Sequence, residues 1–382
     1  RQLTLPPNGE ARLVVPMAFG RWRREALDVY ESSVARIQQG WTASHETARI
    51  ASLLASAPEL SAKYRGQPLY ERLYAHAIVS LDSLFIRGDG GFTGNKRATW
   101  TSKCGLAIAF FWDTAFSCVG AREFNGDASQ EAIECFTDHA TPRGSLPGTI
   151  CDTNRAGEGQ SPIMSWSAWS IFQRTRDKKW LGRVYRSLAR NNDFWLSHHI
   201  SARGLCQFFN AGQVADNDAR FDPIQGETEG NQMLHGFEAP DINAFLVMDM
   251  KCLAQMASVL GYDADATRWR QKADDLAQRI VDLLYFPEEA MFYDVKVGTH
   301  EKLSGVKGPN MFLPLWAGVP LPQEEVARVI EGHMLNPDEF FRELPFPSLS
   351  YDNPKYEPVG YWRGRIWPHV VYWMIQTLWR HG

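Results

Sequence analysis

From Trp22 onward, apolar residues in this 382-residue chain recur every three or four positions, and that period limits its possible folds more than any motif. Trp22, Ala26, Val29, Tyr30, Val34 and Ile37 begin the pattern. It returns over 69–86 through Tyr70, Leu73, Tyr74, Ala77, Ile78, Leu81, Leu84 and Phe85, and again over 178–196, 241–260 and 264–284. Weaker helical periods cover 105–122, 128–138, 162–175, 322–334 and 361–380. Between them lie polar connections rich in Gly, Asp and Asn, at 88–104, 140–160, 200–238 and 339–360. Roughly ten or eleven helices in antiparallel pairs, with long loops recurring between pairs, fit a closed ring of helix hairpins better than a four-helix bundle. The expected fold is therefore all-α, an α/α toroid. Loops longer than about 12 to 15 residues in a compact domain usually carry function, so the chemistry is sought there.

The first 20 residues differ from the rest. Leu3, Leu5, Leu13, Val14 and Val15 flank a Pro-Pro-Asn-Gly turn, a strand-turn-strand signal with nothing after it to pair with. Residues 1–20 are expected to be the tail of a β-domain or a linker, and 21–382 the toroid. That opening stretch has no apolar run ending in a small-residue cleavage site, which points to the cytoplasm, or to secretion or the periplasm if a leader is removed. The longest apolar run, near Leu106–Trp112, falls far short of the roughly 20 residues a membrane span needs.

Charge narrows the partners. The 40 basic and 44 acidic residues are interspersed and sum to −4, without the like-charge runs expected of a nucleic-acid or anionic-membrane surface. Aromatic residues make up 12% of the chain and include 14 Trp, more than ordinary usage, and flat rings suit the apolar faces of sugars as well as a core. Six cysteines, Cys104, Cys118, Cys135, Cys151, Cys206 and Cys252, form no CxxC pair and read as mostly buried thiols.

Four constellations could carry chemistry. In "FFWDTAF", residues 110–116, Asp113 interrupts an apolar run; it either caps a helix start or, beside Trp112, accepts from sugar hydroxyls. In "AGQVADNDARFDP", residues 211–223, Asp216, Asp218 and Asp222 fall within seven positions beside Arg220. Carboxylates this close repel one another, which raises at least one pKa unless a cation or hydrogen bonds compensate, and a raised carboxyl makes a general acid. An Asx-rich turn and a calcium loop compete with that reading, although no glutamate stands at the twelfth position of an EF-hand pattern. In "GEGQSPIMSW", Gln160 and Ser161 precede Pro162 at a helix start. In "YWRGRIWPH", residues 361–369, Gly364 permits close backbone approach and Arg363 offers a forked donor; a buried aromatic corner is the plainer alternative. GxSxG, P-loop, HExxH and GxGxxG are all missing, and the ten His lack metal-ligand spacing, so lipase, NTPase, zinc-protease and Rossmann readings have no residues to stand on.

Taken in order, "FFWDTAF", "GEGQSPI", "DNDARFD", "APDINAFL", "FLPLWAGVP" and "YWRGRIWPH" resemble glycoside hydrolase family 63 and the related mannosylglycerate and glucosylglycerate hydrolases, with trehalases as more distant cousins. The resemblance covers about 100–382, and its most specific parts are the last motif and the aspartate loop. It implies an (α/α)6 barrel, often preceded by a β-sandwich, and inverting hydrolysis of α-glucosidic or α-mannosidic bonds in a small carbohydrate, without cofactor or metal. By motif, Asp216 is the implied general acid. Phe111, Trp112 and Asp113 fall where the sugar is held, Gln160 matches a loop glutamine, and Tyr361, Trp362, Arg363, Gly364 and Trp367 form the aromatic wall. Arg220 orients the aspartate loop.

Three departures stand out: Asp218 and Ala219 replace a Ser-Pro pair, Arg365 replaces a proline, and the segment that would follow the last helix with the catalytic base is not in the chain. An inverting enzyme needs a second carboxylate roughly 6.5 to 9.5 Å from the acid. Glu227, Glu229, Glu238 and Glu357 are candidate substitutes that match no base motif. The expectation is therefore a toroid lacking its last barrel segment, with a weakly active or purely sugar-binding protein as the alternative.

Overall fold

A computed structural model describes residues 23–40, 43–87, 91, 93–100, 108–151, 155–158, 160–210, 215–229 and 232–382. The β-tail expected at 3–19 and Cys104 lie outside them. The chain divides into two compact units between Val79 and Ser80. In the first are helices α1 (Arg23–Gln38) and α2 (Ala43–Ser56) and most of α3 (Pro68–Ser83). The helical period that begins near Trp22 is realised from Arg23, and that expected over 69–86 stops at Ser83, leaving Phe85 in a strand; α2 carries an exposed Glu46–Arg49 pair at 2.8 Å, one turn apart.

The second unit is a ring of helix hairpins. Its helices are α4 (Phe111–Ala121), α5 (Gly126–Thr137), α6 (Met164–Thr175), α7 (Lys178–His198), α8 (Pro240–Leu260), α9 (Asp263–Leu284), α10 (Leu313–Ala317), α11 (Gln323–Val329) and α12 (Pro368–His381). Helix α4 pairs with α5, α6 with α7 and α8 with α9, while α4, α6, α8, α10 and α12 touch in succession along the inside. Side chains reach from α12 back to α4, where His369 stacks on Phe116 at 4.5 Å and Trp373 meets it edge-on at 4.9 Å. Position in the ring follows from the apolar pattern. Helix α8 is apolar on nearly every face and is buried on nearly every face, whereas α9 is amphipathic, burying Trp269, Ala273, Leu276 and Ile280 in one stripe. Among the described residues only α8 is long and apolar enough to cross a membrane, and 78% of its most apolar window is buried inside the protein.

Polar side chains fix the hairpins to one another. Asp249 of α8 accepts from the Trp166 backbone N–H in the first turn of α6 (2.8 Å) and from Asn192 of α7 (2.9 Å). Burial pushes the Asp249 carboxyl up to about 6, against these hydrogen bonds. Cys118, Cys135, Cys206 and Cys252 are buried free thiols, as the sequence suggested, and Cys151 is half-buried.

Three of the polar connections contain strands, and in 88–104 Arg97–Thr99 pairs antiparallel with Phe85–Arg87. Pro147–Ile150 pairs antiparallel with Ala109–Phe110 and with Arg155–Glu158. Gln207–Asn210 pairs with Gln232–Glu238, so the chain that enters the aspartate loop and the chain that leaves it are hydrogen-bonded to each other. Between them Ala219–Glu227 is a 3-10 helix. The predicted helix over 361–380 is interrupted: Tyr361–Arg363 is a single 3-10 turn, and α12 starts only at Pro368, whose missing N–H suits a first helical position.

Candidate active site

The inner helices all present their N-terminal ends to one face, and the long loops meet there. Phe111 and Trp112 open α4; the Phe111 ring is fully buried against Phe136, and the Trp112 N–H donates to Gln160 Oε1 at 3.1 Å. That hydrogen bond joins two of the sequence-predicted residues, 48 positions apart, at an N–H that the helix itself leaves unsatisfied.

Trp112 lies at one end of a pile of indoles. Its ring centroid is 5.8 Å from that of Trp362, and Trp362 stacks on Trp367 at 4.8 Å with planes 20° apart. Tyr361 closes edge-on against Trp367 at 5.2 Å. Trp112 and Trp362 are buried, while Tyr361 and Trp367 are half-buried and form the accessible end of the wall. His369 packs among these rings, and burial drops its imidazole to about 3, so it is neutral at ordinary pH. Among the described residues its Nε2 and the Nε1 atoms of Trp367 and Trp373 are buried without a hydrogen-bond partner.

The backbone that builds the wall is strained in one place and crowded in another. Tyr361 adopts φ 50°, a left-handed conformation costly for a residue with a Cβ. At Gly364 an added Cβ would lie 2.1 Å from the Glu357 carbonyl oxygen, so only glycine fits. Its N–H donates to Ser348 Oγ at 2.9 Å, and that hydroxyl also reaches the Tyr361 carbonyl at 3.3 Å.

The aspartate loop docks on this wall residue by residue. Tyr361 Oη donates to Asp216 Oδ2 at 3.1 Å, and the Asp216 carboxylate is exposed. Asn217 Oδ1 accepts from the Trp362 N–H at 2.9 Å, and the Asn217 carbonyl accepts from Arg363 Nε at 2.9 Å. Arg363 then grips Asp222 through two hydrogen bonds, at 2.5 and 3.2 Å, and Lys355 also contacts Asp222. Burial works to raise the Asp222 pKa, and the hydrogen bonds from Lys355 and Arg363 overcome it, holding the carboxyl below its ordinary value.

The three clustered carboxylates therefore do not face one another. Asp216 turns to Tyr361, Asp222 to Arg363 and Lys355, and Asp218 inward to Arg220. Arg220 is 1% exposed and is surrounded by three buried acids: Asp241 at 2.7 Å, Asp294 at 3.3 Å and Asp218 at 3.4 Å. Its guanidinium also lies 4.9 Å from the Phe221 ring centre. Burial pushes Asp218 up to about 6 and Asp294 up to about 7, against the attraction of Arg220. The loop's buried acid with a raised pKa is thus Asp218, one of the three clustered carboxylates, and not Asp216, the residue the family resemblance implied as the acid. Arg220 touches protein on every side and acts as the loop's anchor. Together with Trp112, Asp218, Asp241, Asn310 and Trp362 it lines a small cavity of about 30 Å³ under the wall, room for about one water-sized group.

Trp112 and Asp113, neighbours in sequence, serve different cavities. Asp113 lines a separate hollow of about 510 Å³ between α4 and α12, with Phe116, His369 and Tyr372. Arg365 is exposed at the rim and donates to the Val359 carbonyl at 3.0 Å. Of the glutamates singled out in the sequence, Glu238 is fully buried and its carboxylate is taken by Ser201 and by Arg203 at 2.6 Å, so it is structural. Glu357 is exposed beside Gly360, and the side chains of Glu227 and Glu229 lie outside the described residues. Sequence reading missed Asn217, Asp294 and Ser348. Asn217 sits inside a quoted motif, but Asp294 and Ser348 carry no local signal. Among the described residues no group of three or more His, Cys, Asp or Glu could hold a metal ion.

The fold has solved counterparts. The GH63 mannosylglycerate hydrolase of Thermus thermophilus, determined in complex with glucose, superposes with a TM-score of 0.67 at 18% identity, over 80% of this chain and 86% of that one. A neutral trehalase from Saccharomyces cerevisiae gives a TM-score of 0.61 at 14% identity, over 73% of this chain and 62% of that one. The class is that of the α/α toroids. Residues 108–382, most of the chain, match the mannosylglycerate hydrolase MGH1-like glycoside hydrolase domain, and the chain belongs to that family. Its similarity to a mannosylglycerate hydrolase from Rubrobacter radiotolerans is 28% identity over 145 residues, 37% of this chain and 31% of that protein. The chain spans less than half the length of the curated relatives it matches.

Proposed function

We propose that this chain is a glycoside hydrolase cleaving an α-glucosidic or α-mannosidic bond in a small glycoside with inversion, and that Asp216 is its general acid. The observation that carries the reading is the Tyr361 hydroxyl on Asp216, which ties an exposed carboxyl to the accessible end of an indole wall. A pyranose whose apolar face rests on Trp367 and Tyr361 has its glycosidic oxygen beside that carboxyl. Asp216 gives its proton to the departing oxygen as the bond to the anomeric carbon breaks, and the Tyr361 O–H then stabilises the carboxylate left behind. Water adds to the opposite face of the ring and loses its proton to a second carboxylate. Support for the substrate class comes from family membership and from relatives named mannosylglycerate hydrolases, one solved with glucose.

The test is release of glucose or mannose from mannosylglycerate, glucosylglycerate and α-linked disaccharides. Asp216→Asn is expected to lower kcat by roughly 10²- to 10⁴-fold, and proton NMR should show the β-anomer appearing first. Unchanged turnover in that variant would remove Asp216 from the mechanism. Saturable sugar binding with no cleavage of any substrate would replace hydrolysis with sugar capture.

A further inference from the structure

Away from the indole wall, a basin of about 710 Å³ opens among α6, α8, α10 and α12, with Arg122, just after α4, and Arg270 of α9 on its edges. That size is within the range of small-molecule sites. Its walls are aromatic, with Trp166, Trp169, Trp316, Tyr372 and Trp379, and Trp379 is 79% exposed. Its charged lining is wholly basic: Arg122, Lys251, Arg270 and Arg380, with no carboxylate. Arg122 is neutralised by Glu123 at 3.0 Å. Among the described residues none of the other three has a carboxylate within ion-pair reach.

Two of these cations converge on one point. Lys251 Nζ donates to the carbonyls of Ala317 (2.8 Å) and Gly318 (2.9 Å), closing the end of α10. The Arg380 guanidinium lies over the same Gly318, so close that an added Cβ would meet its nitrogen at 2.5 Å. Among the described residues Arg380 has no hydrogen-bond or ion-pair partner. Burial and the neighbouring Arg380 both pull the Lys251 pKa down, against the attraction of Asp274. Capping α10 explains Lys251 but not why a second cation is brought beside it with no acid between. Like charges in a walled hollow are mutually repulsive unless an anion joins them.

We propose that this basin is a second binding site, separate from the indole wall, for an anionic sugar or metabolite whose flat ring stacks on an indole and whose phosphate or carboxylate joins Lys251 and Arg380. A forked guanidinium and an ammonium together match a phosphate's oxygens, and the exposed Trp379 indole supplies an apolar face for a pyranose.

Glucose 6-phosphate is the probe, with glucose and inorganic phosphate as references, followed by tryptophan fluorescence and calorimetry on the whole chain. Saturable binding of glucose 6-phosphate is expected, weakening as salt is raised. Arg380→Gln should weaken it by roughly tenfold or more and Trp379→Ala by roughly threefold, whereas Asp216→Asn should leave it unchanged. Both Arg380 and Trp379 are exposed, so a melting curve within a few degrees of the parent's, as expected of surface changes, shows that the fold is retained. The proposal fails if glucose 6-phosphate does not saturate, if both basin variants bind like the parent, or if inorganic phosphate binds as tightly as the sugar phosphate. None of these outcomes bears on hydrolysis at the indole wall.

Discussion

Arg220 and Arg363 hold the same aspartate loop from opposite sides, and they do it by different physics. Arg220 is sealed in the interior with three carboxyls, two of them carrying raised pKa values. Arg363 is partly exposed and meets one carboxylate, Asp222, whose pKa is depressed. A buried charge cluster is costly to form and more costly to break, because every group left behind is desolvated. A half-exposed fork costs little to form and loses little when broken, since water replaces it. The loop thus has a rigid root at Arg220 and an adjustable clasp at Arg363, with Asp216 next to Asn217, whose carbonyl the clasp holds.

That contrast can be broken in a graded way. Arg220→Ala leaves three carboxyls facing each other in the interior and is expected to destabilise the fold by about 3–5 kcal/mol, read from urea unfolding. A loss under about 1 kcal/mol would mean that the root is not where the loop is anchored. Gly364→Ala drives a Cβ into the Glu357 carbonyl and should cost about 1–3 kcal/mol by overpacking, with weakened sugar binding because the wall shifts. Arg363→Gln should cost only about 1 kcal/mol, with its larger effect on KM as the clasp loosens, and adding salt should mimic it in the parent but not in the variant.

The smallest expected effect is in pH. Because the folded pKa values of Asp218 and Asp294 are raised, to about 6 and about 7, their stabilising contribution is complete below the unfolded value near 4 and is lost as pH rises through those values. Asp222 is depressed, so its contribution is present above about pH 4 and is lost as pH falls through its lowered value. The melting temperature should therefore climb modestly from pH 8 to pH 5 and drop below pH 4. In Asp294→Asn the slope between pH 6 and pH 8 should flatten; an unaltered slope would show that Asp294 does not titrate there.

Much of the fold was legible because burial in a helix writes itself into the chain at every third or fourth residue. The expected 178–196, 241–260 and 264–284 became Lys178–His198, Pro240–Leu260 and Asp263–Leu284. Strands of two to seven residues inside polar connections left no comparable trace, because their pairing partners are distant and their alternation is too short to count. The break at Pro368 was written in the chain, yet the aromatic period ran across it and masked it. At the site, the motifs brought forward Trp112, Gln160, Asp216, Arg220 and the Tyr361–Trp367 wall, and the structure joins these through Gln160 to Trp112 and Tyr361 to Asp216. Asp113 is set apart, in a cavity Trp112 does not line.

By itself the sequence determined a ring of amphipathic hairpins, a chain without strong net charge, and two segments too rich in Asp and in indole to be ordinary loops. Only the tertiary structure decided which of three neighbouring aspartates faces solvent and which is buried, since that depends on Arg220, Asp241, Asp294, Arg363 and Lys355 arriving from elsewhere in the chain. The reason is physical: a carboxyl's proton affinity is set by the charges and water within a few ångströms of it, and those neighbours are chosen by folding, not by spacing along the backbone.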